Sequence, residues 1–593
     1  MRNRLSSSVG MWLAAALVTV AWGSPLFHVP TFDLDESLYR RLAEEMKISG
    51  EYFIPTWNGR PFYEKPPTYF WTLILASTLF DRAGAPVSIF SSRLPSFLFT
   101  MVTVAWLGVF WPKFLSVLEG RPPAKYPEWL RHPVFPLLVY SMALFPGIGA
   151  SSVLLDPMLT AFLTPVLLVL SLLWLEGDGD RPRRPTAPEA IILAIGIAGA
   201  TAVKGLIGIL LPAFAVFVHC VFATGASGPR RLVRNLWEVV RALSGSFTGA
   251  ILFGLGFYLL VYWKAGTVFL YEFFVVHHFG RGAAAMQGHG GPLLYHPIVL
   301  LFGGTALSSL VLLLLSKVSR RGWAAFAEYA HWGFPFSWTV AFLVFYSASS
   351  TKLPNYTWPV WPAMSLGACI LLAELHLLRD RDDPLSQPTG RIARVIPAIF
   401  KGLAYFCPAF LFALFLLIGL AAHRLPSDLF LNPGAQAIWD SVGPWPLRVR
   451  FALILVGICM LLQALVLRHF SFGTASSGNE TGGRLVKCAM LAAIVVGVSG
   501  AIVVPFVADA MAGPYARLAE RAARLAGPDT CLATVGPSSP TVSLHYRSGR
   551  INDCGSGPKK LMIGPVWKEE SCRENNLVVV ARDRYLFLCA PGS

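Results

Sequence analysis

The sequence predicts an all-α polytopic membrane protein with a small α/β domain at its C-terminal end. Three observations predict it. Apolar residues make up 54% of the 593 and charged residues only 14%, well below the roughly 25% of an ordinary soluble domain. The apolar residues are gathered into blocks of membrane-span length. The surplus of 49 Lys and Arg over 33 Asp and Glu, a net charge of +16, is spread through short loops between those blocks. That is how a membrane protein orients itself, and it speaks against nucleic acid as a partner. The same composition excludes a disordered tail, a collagen, a small disulfide scaffold and most soluble enzymes.

A span needs about 20 mostly apolar residues. Suitable blocks lie near 9–29, 92–111, 133–149, 157–176, 189–206, 207–224, 243–263, 298–316, 332–349, 354–378, 398–422, 449–467 and 486–508, which is about 13 spans. The first follows Met1-Arg2-Asn3-Arg4 and reads as a retained helix. A cleaved signal peptide is the alternative, since Gly23 and Ser24 follow the block, but the core is long for one. The run Tyr69–Phe80 is short and bounded by Pro66-Pro67 and Asp81-Arg82, so it reads as an interfacial helix. With that run out of the count, the loops holding Arg230, Arg231, Arg234 and Arg241, or Lys317, Arg320 and Arg321, fall with the N-terminus on the cytoplasmic side. The odd number of spans then puts the chain from 509 onward outside.

Residues 1–508 thus read as a transmembrane domain, with a first outer loop at 30–91 and a second at 265–297. Residues 509–593 read as a small extracytoplasmic domain. That tail alternates like strands at Thr541–Tyr546, Leu577–Val580 and Tyr585–Leu588, after a helical stretch Tyr515–Leu525. Its four cysteines, Cys531, Cys554, Cys572 and Cys589, suit two disulfides in an oxidising compartment, with three pairings open. A zinc site is the alternative, although no Cys-x-x-Cys pair is present. Cys220, Cys369, Cys407, Cys459 and Cys488 lie in apolar runs and read as small core residues. The Gly/Ser-rich stretch 472–483 reads as a loop.

With this topology the unusual polar residues fall on one side. They are Asp33, Asp35, Glu36 and Tyr39; Glu64-Lys65-Pro66-Pro67; Asp156; Lys204-Gly205; His277, His278 and Arg281; and Lys352 to Tyr356. Each has a plain structural explanation. Asp35 would cap a helix Glu36–Met46, and Asp156-Pro157 is a helix start. Lys65 and Lys352 would snorkel to headgroups, Arg93 would anchor a span there, and the histidine pair would be a polar loop. Jointly they say more. Ionisable groups at an apolar boundary are costly and tend to be functional. Cations around a carboxylate there suit an anionic substrate held in the membrane, such as a lipid phosphate, with the carboxylate doing acid–base work beside it.

The stretch Asp35-Glu36-x-x-Tyr39, Ala43-Glu44-Glu45-Met46, Ser49 to Pro55, Asn58-Gly59-x-Pro61-Phe62-Tyr63-Glu64-Lys65-Pro66-Pro67-x-x-x-Trp71 and Arg93-Leu94-Pro95-Ser96 resembles the first outer loop of the dolichyl-phosphate-mannose protein mannosyltransferase superfamily. The likeness is to its bacterial ArnT-like branch, the undecaprenyl-phosphate-aminoarabinose transferases. Asp156, Lys204-Gly205, His278-x-x-Arg281 and Ser350 to Tyr356 look like later motifs of that family, and the likeness covers about residues 10–370. The resemblance implies the GT-C architecture and transfer of a sugar, with inversion, from a polyprenyl-phosphate donor to a lipid or glycan acceptor at the periplasmic face of a bacterial inner membrane. Lipid A is the first acceptor to expect. It implies Asp35 as general base with Glu36 and Asp156 in support. Lys65, Arg281, Lys352 and Tyr356 would form the donor-phosphate set. No cofactor is required by this chemistry, and a divalent metal (Zn or Mg) between Glu64 and His278 is an option the resemblance adds. The chain departs from the family at Leu38, where an arginine is usual, and at Gly282, where an aromatic is usual.

Transfer to a protein hydroxyl, as in the mannosyltransferases, is the alternative within this class. A lipid or glycan transporter would place its polar residues near the midplane on repeated, broken helices, whereas here they lie at one boundary. A non-catalytic relative would be expected to lose the aspartate, which Asp35 has not.

Overall fold

The computed structural model describes residues 2–28, 35–119, 126–177, 181–224, 228–284, 290–319, 333–379, 391–421, 433–442, 445–468, 478–526, 530–534, 540–546, 550–551 and 559–591. Asp33 and Cys554 lie outside them, as do residues 472–477 of the Gly/Ser stretch; Gly478–Gly483, expected in that loop, instead begins the helix Gly478–Val498.

The chain is a bundle of apolar helices with a small sheet at its C-terminal end. Among the described residues ten helices are long and apolar enough to cross a membrane, or eleven with one bent pair counted as a span. The bend joins Tyr295–Gly303 to Ala306–Lys317 at 102°. Gly303-Gly304 frees the turn, and Thr305, at φ 42°, donates its hydroxyl to the Met142 carbonyl at 3.0 Å. The difference from about 13 lies in two blocks. Block 332–349 forms the shorter helix Phe334–Ala348. Block 133–149 is broken into Phe135–Tyr140 and Leu144–Gly149. Pro146 has no amide proton to return to residue 142, which fits a break at 141–143. The run expected to be interfacial is the 13-residue helix Thr68–Phe80.

The helix Asp156–Leu175 is the centre of the bundle, with 94% of its apolar stretch enclosed by protein. The 37-residue helix Pro229–Ala265 is peripheral and turns Leu252, Phe253, Leu259 and Trp263 outward. An outward apolar face costs nothing in lipid, which is as apolar as leucine.

Asp35–Ser49 is an amphipathic helix, and the hairpin Thr56–Trp57 (β1) with Arg60–Pro61 (β2) follows it. Asn58 and Gly59 both have positive φ, 54° and 76°, as the tight two-residue hairpin turn requires. Glu45 holds this hairpin: its carboxylate accepts from Thr56 Oγ1, the Asn58 amide and the Gly59 amide at 2.8, 2.8 and 3.1 Å.

The C-terminal sheet comprises Thr530–Thr534 (β3), Arg550–Ile551 (β4), Lys559–Pro565 (β5), Leu577–Asp583 (β6) and Leu586–Pro591 (β7), in the order β4-β3-β5-β7-β6. β3 is parallel to β4 and β5, and β7 is antiparallel to β5 and β6. Gly513–Leu525 packs on it, and Leu518, Leu532, Val542, Tyr546, Ile563 and Leu588 share its core. Thr541–Tyr546, expected as a strand, is instead part of the helix Pro540–His545 and its exit. Pro540 suits a first helical position, and Val542 and Tyr546, four apart, are both buried. The letter alternation was real, but the buried pair follows the helical period. Cys572 and Cys589 form a disulfide, and Cys531 is also disulfide-bonded. The five cysteines of the apolar runs are buried thiols outside any disulfide.

Candidate active site

A cavity of about 1210 Å³ opens beside the starts of several helices. Asp35, Glu64, Lys65, Asp156, Lys204, His277, His278, Asn355 and Tyr356 line it, with apolar walls from Leu206, Ile207, Leu210, Phe214, Val344 and Phe345. Residues from six separate stretches of chain thus face one space whose lining is part polar and part apolar.

Asp35 is the first residue of its helix and half-buried at the cavity wall. The helix start places its carboxylate at the positive end of the helix dipole, which favours negative charge. Asp156 occupies the same position on the central helix, ahead of Pro157. Its carboxylate is held from both sides: Lys204 Nζ bonds Oδ1, and Asn355 Nδ2 donates to Oδ2 at 2.7 Å. The Lys204 ammonium also lies 4.8 Å from the Tyr356 ring centroid, over its face. Lys204 ends one helix and Gly205, at φ 71°, turns the chain into the next. Asp156, Lys204, Asn355 and Tyr356 therefore form one charged cluster with its cation at the cavity. Lys204 and Asn355 lay within recognised motifs, but their pairing with Asp156 bridges 48 and 199 residues of sequence and has no local signal.

Two expected site residues have other partners. Glu36 is 4% exposed and does not line the cavity. Arg93 spans its carboxylate at 3.1 and 2.8 Å, and the Val153 amide donates to it at 2.9 Å. Arg93 also donates to the Pro25 carbonyl at 3.0 Å, so it is a buried tie between segments and not a headgroup anchor. Lys352 is 5% exposed and likewise absent from the lining. Its ammonium donates to the carbonyls of Tyr346, Ser347 and Ser349. It therefore caps the end of Phe334–Ala348, where unpaired carbonyls favour a cation. Burial pulls its pKa below the usual lysine value.

Histidine 278 sits in a π-helical stretch, Tyr271–Gly280. Its Nδ1 is 2.7 Å from the Phe273 carbonyl oxygen and its Nε2 is 3.3 Å from that of Lys204. Both ring nitrogens thus lie within hydrogen-bond reach of backbone carbonyls. The histidine beside Glu64 is His277, at 3.9 Å. Among the described residues no group of three or more His, Cys, Asp or Glu side chains is placed to hold a metal ion. The expected Glu64–His278 metal pair therefore does not fit this geometry. Arg281 begins the short helix Arg281–Ala283 beside the cavity, and its side chain lies outside the described residues. Ser350 and Thr351 stitch this region down: the Ser350 amide donates to Gly282 O at 3.1 Å, and their hydroxyls to Ala283 O and Ala284 O at 3.1 and 3.2 Å.

This architecture has close counterparts. The crystal structure of ArnT from Cupriavidus metallidurans bound to undecaprenyl phosphate superposes over 98% of both chains with a TM-score of 0.68, at 19% identity. Its apo form matches over the same share with a TM-score of 0.66. The chain has the ArnT form of the GT-C fold. Curated relatives are similar in sequence as well. The undecaprenyl phosphate-alpha-4-amino-4-deoxy-L-arabinose arabinosyl transferase of Edwardsiella ictaluri is 25% identical over 365 residues, 60% of this chain and 58% of that protein. An enzyme of the same name from Sodalis glossinidius is 28% identical over 370 residues, 61% and 59% of the two chains. The chain thus spans a little under three fifths of the curated relatives it matches. No family model matches it. The resemblance to the ArnT branch seen in the Asp35–Ser96 motifs is matched by relatives and by the whole fold.

Proposed function

We propose that the protein is an inner-membrane glycosyltransferase that moves a sugar from a polyprenyl-phosphate donor to an acceptor at the periplasmic face. The observation that carries this reading is the meeting of Asp35, Lys65, Asp156 and Lys204 in one cavity with an apolar wall. Asp35 takes the proton of an acceptor hydroxyl. The oxygen attacks the anomeric carbon, and the bond from that carbon to the phosphate oxygen breaks. Lys65, with Arg281, takes the charge that gathers on the leaving polyprenyl phosphate. An acceptor phosphate that carries a proton would give it to Asp35 in the same way. Asp156 holds Lys204 at the cavity and Tyr356 covers it. In this reading Glu36 and Lys352 support the fold around the site and do not touch the donor.

The fold and the relatives' names favour 4-amino-4-deoxy-L-arabinose carried on undecaprenyl phosphate as donor, with lipid A as acceptor. The departures at Leu38 and Gly282 leave room for another pentose or hexose. The chemistry is routed through the chain's own residues and not through a metal. The basic loops favour a cytoplasmic N-terminus, and the disulfide-bonded cysteines of the tail agree with a periplasmic C-terminus. Residues 1–508 would be the catalytic domain and 509–593 the periplasmic one.

Mass spectrometry of lipid A and other envelope glycans with and without the gene tests this. A mass difference of one sugar that Asp35→Asn also removes is the expected result. An unchanged envelope, or full transfer by Asp35→Asn inserted at wild-type level, would overturn it.

A further inference from the structure

The helix that begins with Asp35 does not stand on the membrane bundle alone. Ser37, in its first turn, is fully buried, and its hydroxyl lies 3.0 Å from that of Thr541. Thr541 belongs to Pro540–His545, which packs against Asp35–Ser49. The neighbouring Val542 and Tyr546 are buried in the core of the C-terminal sheet. One short helix thus has a foot in each part of the protein.

The sheet is itself fastened to the last membrane helix. Arg517 bonds Asp509 at 2.8 Å and Asp583 at 2.5 Å. Arg584 bonds the other oxygen of Asp509 at 2.8 Å, and the Tyr585 hydroxyl donates to the Met511 carbonyl at 2.6 Å. The Cys572–Cys589 disulfide closes the far side of the sheet. Pro540–His545 is therefore carried on a body with fixed attachments.

The first turn of a helix has amides without intrahelical partners and is the part that opens most readily. Asp35 occupies that turn. We propose that Thr541 is a positioning residue for Asp35: by holding Ser37, the C-terminal domain keeps the first turn wound and the Asp35 carboxylate at the cavity. This rests on the reading of Asp35 as the base. It gives the C-terminal domain a part in transfer that does not require it to touch either substrate.

The test uses the full-length protein in nanodiscs and three variants: Thr541→Val, which keeps the shape and loses the hydroxyl, Thr541→Ser, which keeps the hydroxyl, and Ser37→Ala. Hydrogen exchange is read at the amides of residues 36–39. Transfer is read with undecaprenyl-phosphate aminoarabinose and lipid A. Exchange in Thr541→Val should rise about tenfold, the scale of one lost neutral hydrogen bond, and kcat should fall to a similar degree with the donor KM unchanged. Thr541→Ser should restore both, and Ser37→Ala combined with Thr541→Val should be no worse than either alone. Unchanged exchange in Thr541→Val, a Ser variant as impaired as the Val one, or faster exchange with undiminished kcat would each overturn the proposal. A wild-type protein that transfers no sugar would sink the functional reading instead, and exchange would still decide whether the C-terminal domain holds the Asp35 turn.

Discussion

Arg93 lies across both carboxylate oxygens of Glu36, at 3.1 and 2.8 Å, in a place where neither residue is more than 4% exposed. The pair joins the Asp35–Ser49 helix to Ile89–Glu119, while Pro25 and Val153 supply further bonds. A buried pair of this kind is weak evidence for stability in itself, but losing one partner strands a charge and costs about 3–5 kcal/mol. Arg93→Met should therefore unfold at markedly lower temperature in detergent, and Glu36→Gln combined with it should recover part of the loss because no charge is left uncompensated. If Arg93→Met keeps the wild-type melting temperature, the pair is not a structural tie.

The same logic separates stability from chemistry at Asp156. Lys204→Ala removes the cation from a carboxylate whose side chain is 2% exposed, so the expected cost is again about 3–5 kcal/mol. Adding Asp156→Asn should restore much of the melting temperature and none of the transfer, since the cation at the cavity is still missing. Asn355→Ala leaves the ion pair in place and should cost only about 1.5–3 kcal/mol, the scale of a hydrogen bond to a charged group. Recovery of transfer in the Lys204→Ala, Asp156→Asn double variant would show that Lys204 serves only to neutralise its partner.

Much of this arrangement was legible in the letters. Block length and loop charge gave the helices, because a lipid-facing helix is apolar over its whole length. The motif from Asp35 to Pro67 placed Asp35, Glu64 and Lys65 at one site. What the letters could not show was which neighbour in a pair faces the cavity. Asp35 and Glu36 are adjacent carboxylates on one helix, and only the approach of Arg93, 57 residues away, decides that one is buried structure. His277 and His278 pose the same problem. Thr541–Tyr546 failed for a different reason, since six residues are too few to tell a period of two from one of 3.6.

Lys352 gives a direct contrast with Lys65. Three carbonyls occupy its ammonium at the end of Phe334–Ala348, while Lys65 lines the cavity. Lys352→Met should lower stability by about 1.5–3 kcal/mol, the worth of bonds to a charged group, and leave the donor KM unchanged among the molecules that remain folded. Lys65→Ala should do the reverse, raising the donor KM with little change in melting temperature. Steady-state kinetics and thermal unfolding on both variants check this. A raised donor KM in Lys352→Met would return that residue to the phosphate-binding set.

Gly205 offers a test of how tightly the wall around His278 is built. Its backbone, at φ 71° and ψ −147°, is one that side chains rarely adopt. A Cβ there would also fall 2.2 Å from His278 Nε2 and 3.1 Å from Phe273 Cε1. Gly266 has nearly the same backbone, φ 69° and ψ −163°, with open space around it. Gly266→Ala should therefore show the backbone strain alone, of order 1–3 kcal/mol. Gly205→Ala carries that strain and must also push the imidazole off the Lys204 carbonyl, beside the cation that faces the cavity. It should lose more stability than Gly266→Ala and, unlike it, lose transfer. Shortening the obstacle with His278→Ala in the Gly205→Ala background should return part of the stability. Equal losses in the two alanine variants would mean that the imidazole yields freely and that its place against the turn does not matter.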